Sequence, residues 1–70
     1  MEISARNTFR GTIKEIKHGD INTEVIVELS GGLGITAIIT KESAERLQLE
    51  VGKDAFAVVK ASDVMIGTDG

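Results

Sequence analysis

The sequence contains no cysteine, so neither a disulfide nor a thiolate metal site is available. Its one histidine, His18, cannot build a zinc site without carboxylate help. No run of about 18 apolar residues occurs, so no membrane-spanning helix is predicted. Met1-Glu2-Ile3-Ser4 lacks the basic-then-apolar order of a signal peptide, and the expected location is cytoplasmic. Tryptophan and tyrosine are missing, leaving Phe9 and Phe56 as the aromatics. Basic residues are also scarce, eight against eleven acidic ones, for a net charge of −3. Nucleic-acid binders usually show a basic face and aromatic stacking platforms, so nucleic acid is not the expected partner. An anion site would have to be built locally, against the overall field.

What is present is a short chain rich in Ile, Val, Ala and Leu. Seventy residues make one domain, residues 1–70, and a chain of this size buries only a modest fraction of its surface. Without disulfide or metal, the remaining way to stabilise it is to share a core with other copies. The 41% hydrophobic content supports that expectation of a homo-oligomer.

The order of elements can be read along the chain. Ser4–Lys17 reads as one long strand, with Phe9, Gly11 and Ile13 on one face. Ile16 then falls on the opposite phase, which a bulge near Lys14 or Glu15 explains. His18-Gly19-Asp20 is a turn signal. Thr23–Leu29 is a second strand, with Thr23, Val25, Val27 and Leu29 on its apolar face. Ser30-Gly31-Gly32 is a tight connection between antiparallel strands. Leu33–Thr40 is a third strand. Its end, Ile38-Ile39, is apolar on both faces, which suggests that one face meets another subunit.

From Lys41 to Leu47 the period changes. Thr40 can cap a short helix that keeps Ala44 and Leu47 on one side. Val51-Gly52-Lys53 is a turn. Asp54–Lys60 is a fourth strand, with Phe56 and Val58 on one face and Ala55, Ala57 and Val59 on the other. Val64–Thr68 is a predicted fifth strand. The predicted fold is all-β: a five-stranded antiparallel barrel of the OB type, with one short helix between strands 3 and 4.

Two stretches bring chemistry. Ser4 and Arg6 share a face if the segment is extended, setting a hydroxyl beside a guanidinium. Near the other end, Lys60, Ala61 and Ser62 offer an ammonium, backbone N–H groups in a small nest, and a second hydroxyl. If the two stretches meet, they form a donor-only pocket for an oxyanion. The plainer reading is that Arg6 and Lys60 are solvated strand-end charges paired with Glu2 or Asp63.

The pattern Ser4-Ala5-Arg6-Asn7, Gly11-Thr12-Ile13, Ile39-Thr40, Val51-Gly52-Lys53 and Val59-Lys60-Ala61-Ser62-Asp63-Val64-Met65 resembles the molbindins. These are small molybdate- and tungstate-binding proteins. Their domain also occurs in molybdate-responsive regulators and in the transport-associated OB domains of molybdate importers. The resemblance runs from Ile3 to about Gly67, and its two ends together make it specific. It implies that Ser4, Arg6, Lys60, Ala61 and Ser62 bind the oxyanion, with Thr40 contributed across a subunit interface. It further implies a homohexamer, a trimer of dimers, whose bound ligand is molybdate or tungstate. A second oxyanion site near the threefold axis would fall at Gly19, Ile21 and Asn22, although three copies of Asp20 would repel an anion there. Thr8-Phe9-Arg10 departs from the resemblance in being bulkier and more basic, but lies beyond the site.

The remaining residues have plainer roles. His18 sits beside a turn glycine and reads as a surface residue. Met65, between Val64 and Ile66, reads as core. Glu42, Glu45 and Arg46 form the solvated face of the helix. Glu24 and Glu28 flank Ile26 on one strand face, but no nucleophile accompanies them, so no enzyme is expected. The expected function is storage, buffering or homeostasis of molybdate or tungstate. The alternative is a single-stranded nucleic-acid-binding OB module.

Overall fold

In the computed structural model, which describes residues 4–70, one four-stranded antiparallel sheet carries the chain. The strands are β1 (Asn7–His18), β2 (Asn22–Leu29), β3 (Gly34–Thr40) and β4 (Asp54–Val59), in the order β3-β2-β1-β4. A single α-helix, α1 (Lys41–Arg46), lies between β3 and β4. The all-β class and the helix position are as predicted, with four strands where five were expected.

β1 is the spine, pairing with β4 along its first half and with β2 from Gly11 to its end. Such double use requires the strand to bend, and the register of β1 on β2 shifts between Ile13 and Glu15. The extra residue there is Lys14, so the bulge falls where the change of apolar phase put it. Before the bulge Phe9, Gly11 and Ile13 oppose Ala57, Ala55 and Val27, on the inner face. After it, Ile16 opposes Val25 and stays on that face. Without the extra residue Ile16 would point to solvent, because side chains alternate strictly along a strand. Lys14 itself points outward and donates to the Glu28 carboxylate at 2.9 Å. That hydrogen bond, with the carboxylate's charge, holds the Lys14 ammonium above the usual lysine range.

The core is small. Ile13, Val25 and Val27 are buried together, with Ile16, Leu29, Ile39, Leu49 and Ala55 packed against them. Thr40 caps α1, accepting from the Ser43 N–H at 3.1 Å, and Ala44 is the buried residue of the helix. Gly31 and Gly32 take positive φ values of 85° and 81° in the connection between β2 and β3, which glycine adopts at least cost.

Gly11 serves a different purpose. A Cβ there would lie 2.5 Å from the Glu28 carbonyl oxygen and 2.7 Å from a Val27 methyl. Because the nearest atom is backbone, the sheet itself would have to move. Gly11→Ala is expected to cost about 1–3 kcal/mol of stability, the usual range for overpacking. Equilibrium denaturation checks this, and an unchanged midpoint would refute the packing argument.

Two predicted boundaries are corrected. The first strand begins at Asn7 rather than Ser4, and the chain bends at Ser4 and Arg6. Val64–Thr68 forms no strand: these residues are exposed and have no ladder partner among the described residues. Met65, expected in the core, is 92% exposed. A strand exists only where an edge receives it, and among the described residues this segment lies against none.

The fourth strand divides as predicted. Ala55, Ala57 and Val59 face inward, and Phe56 and Val58 are exposed on the outer face. Ile38 is likewise 70% exposed, while Ile39 packs on the core, so the end of β3 is apolar on both faces.

Candidate functional site

The pairing of β1 with β4 decides whether the two donor stretches meet. Asn7 opposes Val59 at the end of this ladder. Arg6 precedes Asn7 and Lys60 follows Val59, so the two cations leave the same end of the same strand pair, side by side. Opposed residues in an antiparallel pair lie about 4.5–5.5 Å apart at Cα. Ser4 and Ala61–Ser62 continue from these positions. Sequence separation of more than fifty residues is thus closed by one register. The bends at Ser4 and Arg6 mean that these side chains are directed by the bends, not by strand alternation.

After Lys60 the chain makes a single 3₁₀ turn over Ala61–Asp63. The Asp63 N–H bonds to the Lys60 carbonyl at 2.9 Å, and the Val64 N–H to the Ala61 carbonyl at 3.3 Å. The N–H groups of Ala61 and Ser62 find no acceptor among the described residues. They are the leading N–H groups of the turn, which the turn itself cannot satisfy. Among the described residues, therefore, two backbone donors beside Lys60 have no acceptor.

The two cations likewise have no counterion among the described residues. Arg10 is bound to Asp54 at 2.9 Å and Lys14 to Glu28 at 2.9 Å. Arg6 and Lys60 are exposed and make no ion pair among the described residues. The plainer reading had Lys60 paired with Asp63, and no such bridge forms. Glu2, the other counterion considered, lies outside the described residues. Asp63 lines the apolar groove beside β4.

Thr40 is elsewhere. It opposes Asn22, at the end of the sheet where β1 finishes with His18 opposite Thr23. The Arg6–Lys60 pair sits where β1 begins. One chain does not bring Thr40 to that pair. Its hydroxyl is also engaged, donating to Ser43 Oγ at 2.8 Å while accepting from the Ser43 N–H. Thr40→Ala is expected to cost about 0.5–2 kcal/mol of stability through loss of the cap. Thermal unfolding measures this, and an unchanged transition would deny the cap its role.

The suggested second site, at Gly19, Ile21 and Asn22, adjoins Thr40. The Gly19 N–H donates to the Asn22 carbonyl at 2.8 Å, and the Ile21 carbonyl accepts from the Lys41 N–H at 2.7 Å. The turn thus uses the Gly19 donor internally. Among the described residues, no cluster of three or more His, Asp and Glu side chains suits a metal cation. The two aromatics do not make one platform. Phe9 opposes Ala57 on the inner face, and Phe56 opposes Arg10 on the outer face.

The curled antiparallel sheet with one short helix after β3 is an OB-like architecture, and Arg6 and Lys60 adjoin one end of its β1–β4 ladder. The family model of the TOBE domain matches residues 3–66, and the chain belongs to this family. A probable molybdenum-pterin-binding protein of Haemophilus influenzae is 38% identical over 69 residues, 99% of this chain and 100% of the relative. Molybdenum-pterin-binding protein 1 of Clostridium pasteurianum is 46% identical over 66 residues, 94% of this chain and 97% of its own length.

Solved structures agree in fold. MopII from Clostridium pasteurianum superposes with a TM-score of 0.91 at 43% identity, covering 96% of this chain and 100% of that one. The cytoplasmic molybdate-binding protein ModG, with molybdate bound, gives a TM-score of 0.89 at 46% identity. That match covers 93% of this chain and 46% of ModG.

Proposed function

We propose that this chain binds molybdate or tungstate at sites formed between copies of itself, for storage, buffering or homeostasis of the oxyanion. The observation that supports the proposal is the β1–β4 register, in which Arg6 and Lys60 adjoin the opposed residues Asn7 and Val59, while the Ala61 and Ser62 N–H groups have no acceptor among the described residues. Molybdate is a tetrahedral dianion with acceptors only. Its site should contain donors only, and arginine, lysine, hydroxyls and backbone N–H groups supply them. Ser4 and Ser62 can rotate their hydroxyls to donate. The named relatives, molybdenum-pterin-binding proteins and a molybdate-bound ModG, support the ligand class. Phe9 and Phe56 on opposite faces, with the acidic balance, disfavour the nucleic-acid alternative.

Thr40 would then come from a neighbouring copy, because it lies at the other end of the sheet from Arg6 and Lys60 in its own chain. It would have to turn its hydroxyl hydrogen from Ser43 to the anion. The assembly consistent with this reading is a homohexamer, a trimer of dimers, in the cytoplasm. The chain acts as a binder, not a catalyst. Gly19, Ile21 and Asn22 form a secondary candidate, with Asp20 as its main electrostatic obstacle.

Native mass spectrometry with and without molybdate tests both parts together. The expected result is six subunits with several molybdates retained. A monomer at micromolar concentration would remove the inter-subunit site, and a hexamer without retained oxyanion would remove the ligand.

A further inference from the structure

Among the described residues Thr23 is the buried polar one, with none of its surface exposed. Its Oγ1 has no hydrogen-bond partner among the described residues. A hydroxyl taken from water without a partner carries a desolvation penalty that folding does not recover. Thr23 opposes His18 in β1 and Ile39 in β3, and strand alternation puts it on the inner face with Val25 and Val27. It does not line the apolar groove beside β4. The element that reaches this end of the sheet is α1. The helix follows Thr40, one residue past Ile39, and packs on β2 and β3. Its first N–H group, that of Lys41, donates to the Ile21 carbonyl at 2.7 Å, just ahead of β2.

α1 is lightly held. It is six residues long, and Ala44 is its buried side chain. Its other attachments lie at its ends: the Thr40 cap, and the Lys53 Nζ donating to the Gln48 carbonyl at 3.1 Å. A helix this short has little stability of its own. Leu47, at its end, is 60% exposed. Gln48 then takes a φ of 53°, a region uncommon for residues other than glycine.

We propose that α1 is a hinged cover over Thr23, and that its lifting is the step by which a bound oxyanion leaves. Closed, the helix strands the Thr23 hydroxyl; lifted, it admits water to that hydroxyl, which therefore favours the lifted state. Elements that move at binding sites are drawn from the weakly held part of a fold. Thr40 caps α1 and is also the donor proposed to reach the anion of a neighbouring copy, so lifting α1 withdraws that donor. The release step rests on the proposed inter-subunit site; the cover over Thr23 does not.

Thr23→Val keeps the side-chain shape and removes the hydroxyl. Amide hydrogen exchange is followed without molybdate at Leu47, Gln48 and Leu49, whose N–H groups bond to the Ser43, Glu45 and Ala44 carbonyls. With the penalty gone from the closed state, exchange at these three amides is expected to slow roughly 5- to 150-fold. Release of labelled molybdate into excess unlabelled molybdate is expected to slow in the same variant. Thr23→Ala and Thr23→Ser form a second pair that both lack the methyl and differ in the hydroxyl, and exchange should be slower in the alanine chain. Unchanged exchange at Leu47–Leu49 with a raised unfolding midpoint would put Thr23 under something other than α1 and overturn the cover. A lowered midpoint in Thr23→Val, with faster exchange in Thr23→Ala than in Thr23→Ser, would show a paired hydroxyl and overturn it too. Slowed exchange with unchanged release would overturn the release step. A parent chain that binds no molybdate would count against the proposed function, and exchange at the three amides then decides the cover alone.

Discussion

Arg6→Ala and Lys60→Ala are each expected to weaken molybdate binding severely while leaving the fold intact. Neither residue belongs to the core or makes an ion pair among the described residues, so truncation removes little that stabilises the chain. Both lie at the end of the β1–β4 ladder, where the two donor stretches come together. In an inter-subunit site the contact with the anion is desolvated, and removing one partner of such a contact costs about 2–5 kcal/mol. That corresponds to roughly 30-fold to several-thousandfold in affinity. Calorimetric titration of each variant measures it, with the unfolding midpoint as control. A variant binding within about threefold of the parent would take that residue out of the site, since so small a change corresponds to well under 1.4 kcal/mol. Arg10→Ala makes a useful contrast. Arg10 is committed to Asp54 on an exposed surface pair, so its loss should leave affinity nearly unchanged.

Discrimination between anions should be as large. Molybdate and tungstate have nearly the same size and charge, so the protein is expected to separate them scarcely at all. Sulfate has the same charge and shape but shorter bonds. In a pocket sized for the larger anions it cannot reach every donor at once. Each donor left buried and unpaired costs about 1–3 kcal/mol, so missing two gives roughly thirtyfold to several-ten-thousandfold discrimination. Phosphate should also bind weakly, because its residual proton takes away one acceptor oxygen and Ser4, Arg6, Lys60 and Ser62 include no carboxylate to receive that proton. A competition titration at neutral pH and fixed ionic strength measures all four anions. Displacement of molybdate by an equal concentration of sulfate would reveal a generic cationic patch and end the storage reading.

Much of the architecture was legible in the residues because it rests on local periodicity. The bulge at Lys14 follows from Ile13 and Ile16 having to share a core face across an odd spacing. The helix follows from a cap at Thr40 and a change of period. The break between β2 and β3 follows from Gly31 and Gly32, which take left-handed angles at little cost. These are properties of neighbours in sequence, and no distant contact is needed to settle them. The donor chemistry of Arg6, Lys60 and Ser62 was legible for the same reason, being a matter of residue type.

Tertiary structure decided what depends on partners far along the chain. That Arg6 and Lys60 adjoin the same end of the sheet follows from the register of β1 against β4, which opposes Asn7 with Val59. The first strand starts at Asn7 because Val59 is the last residue of β4 to pair with it, although Ser4 and Arg6 look equally extended in sequence. Val64–Thr68 has a strand's composition but no strand's structure, because a ladder needs a free edge in reach as well as suitable side chains. The position of Thr40, at the far end of the sheet from the cations, was likewise invisible until the strands were laid side by side. Composition states which donors a chain possesses; only the pairing of its strands determines which of them stand together.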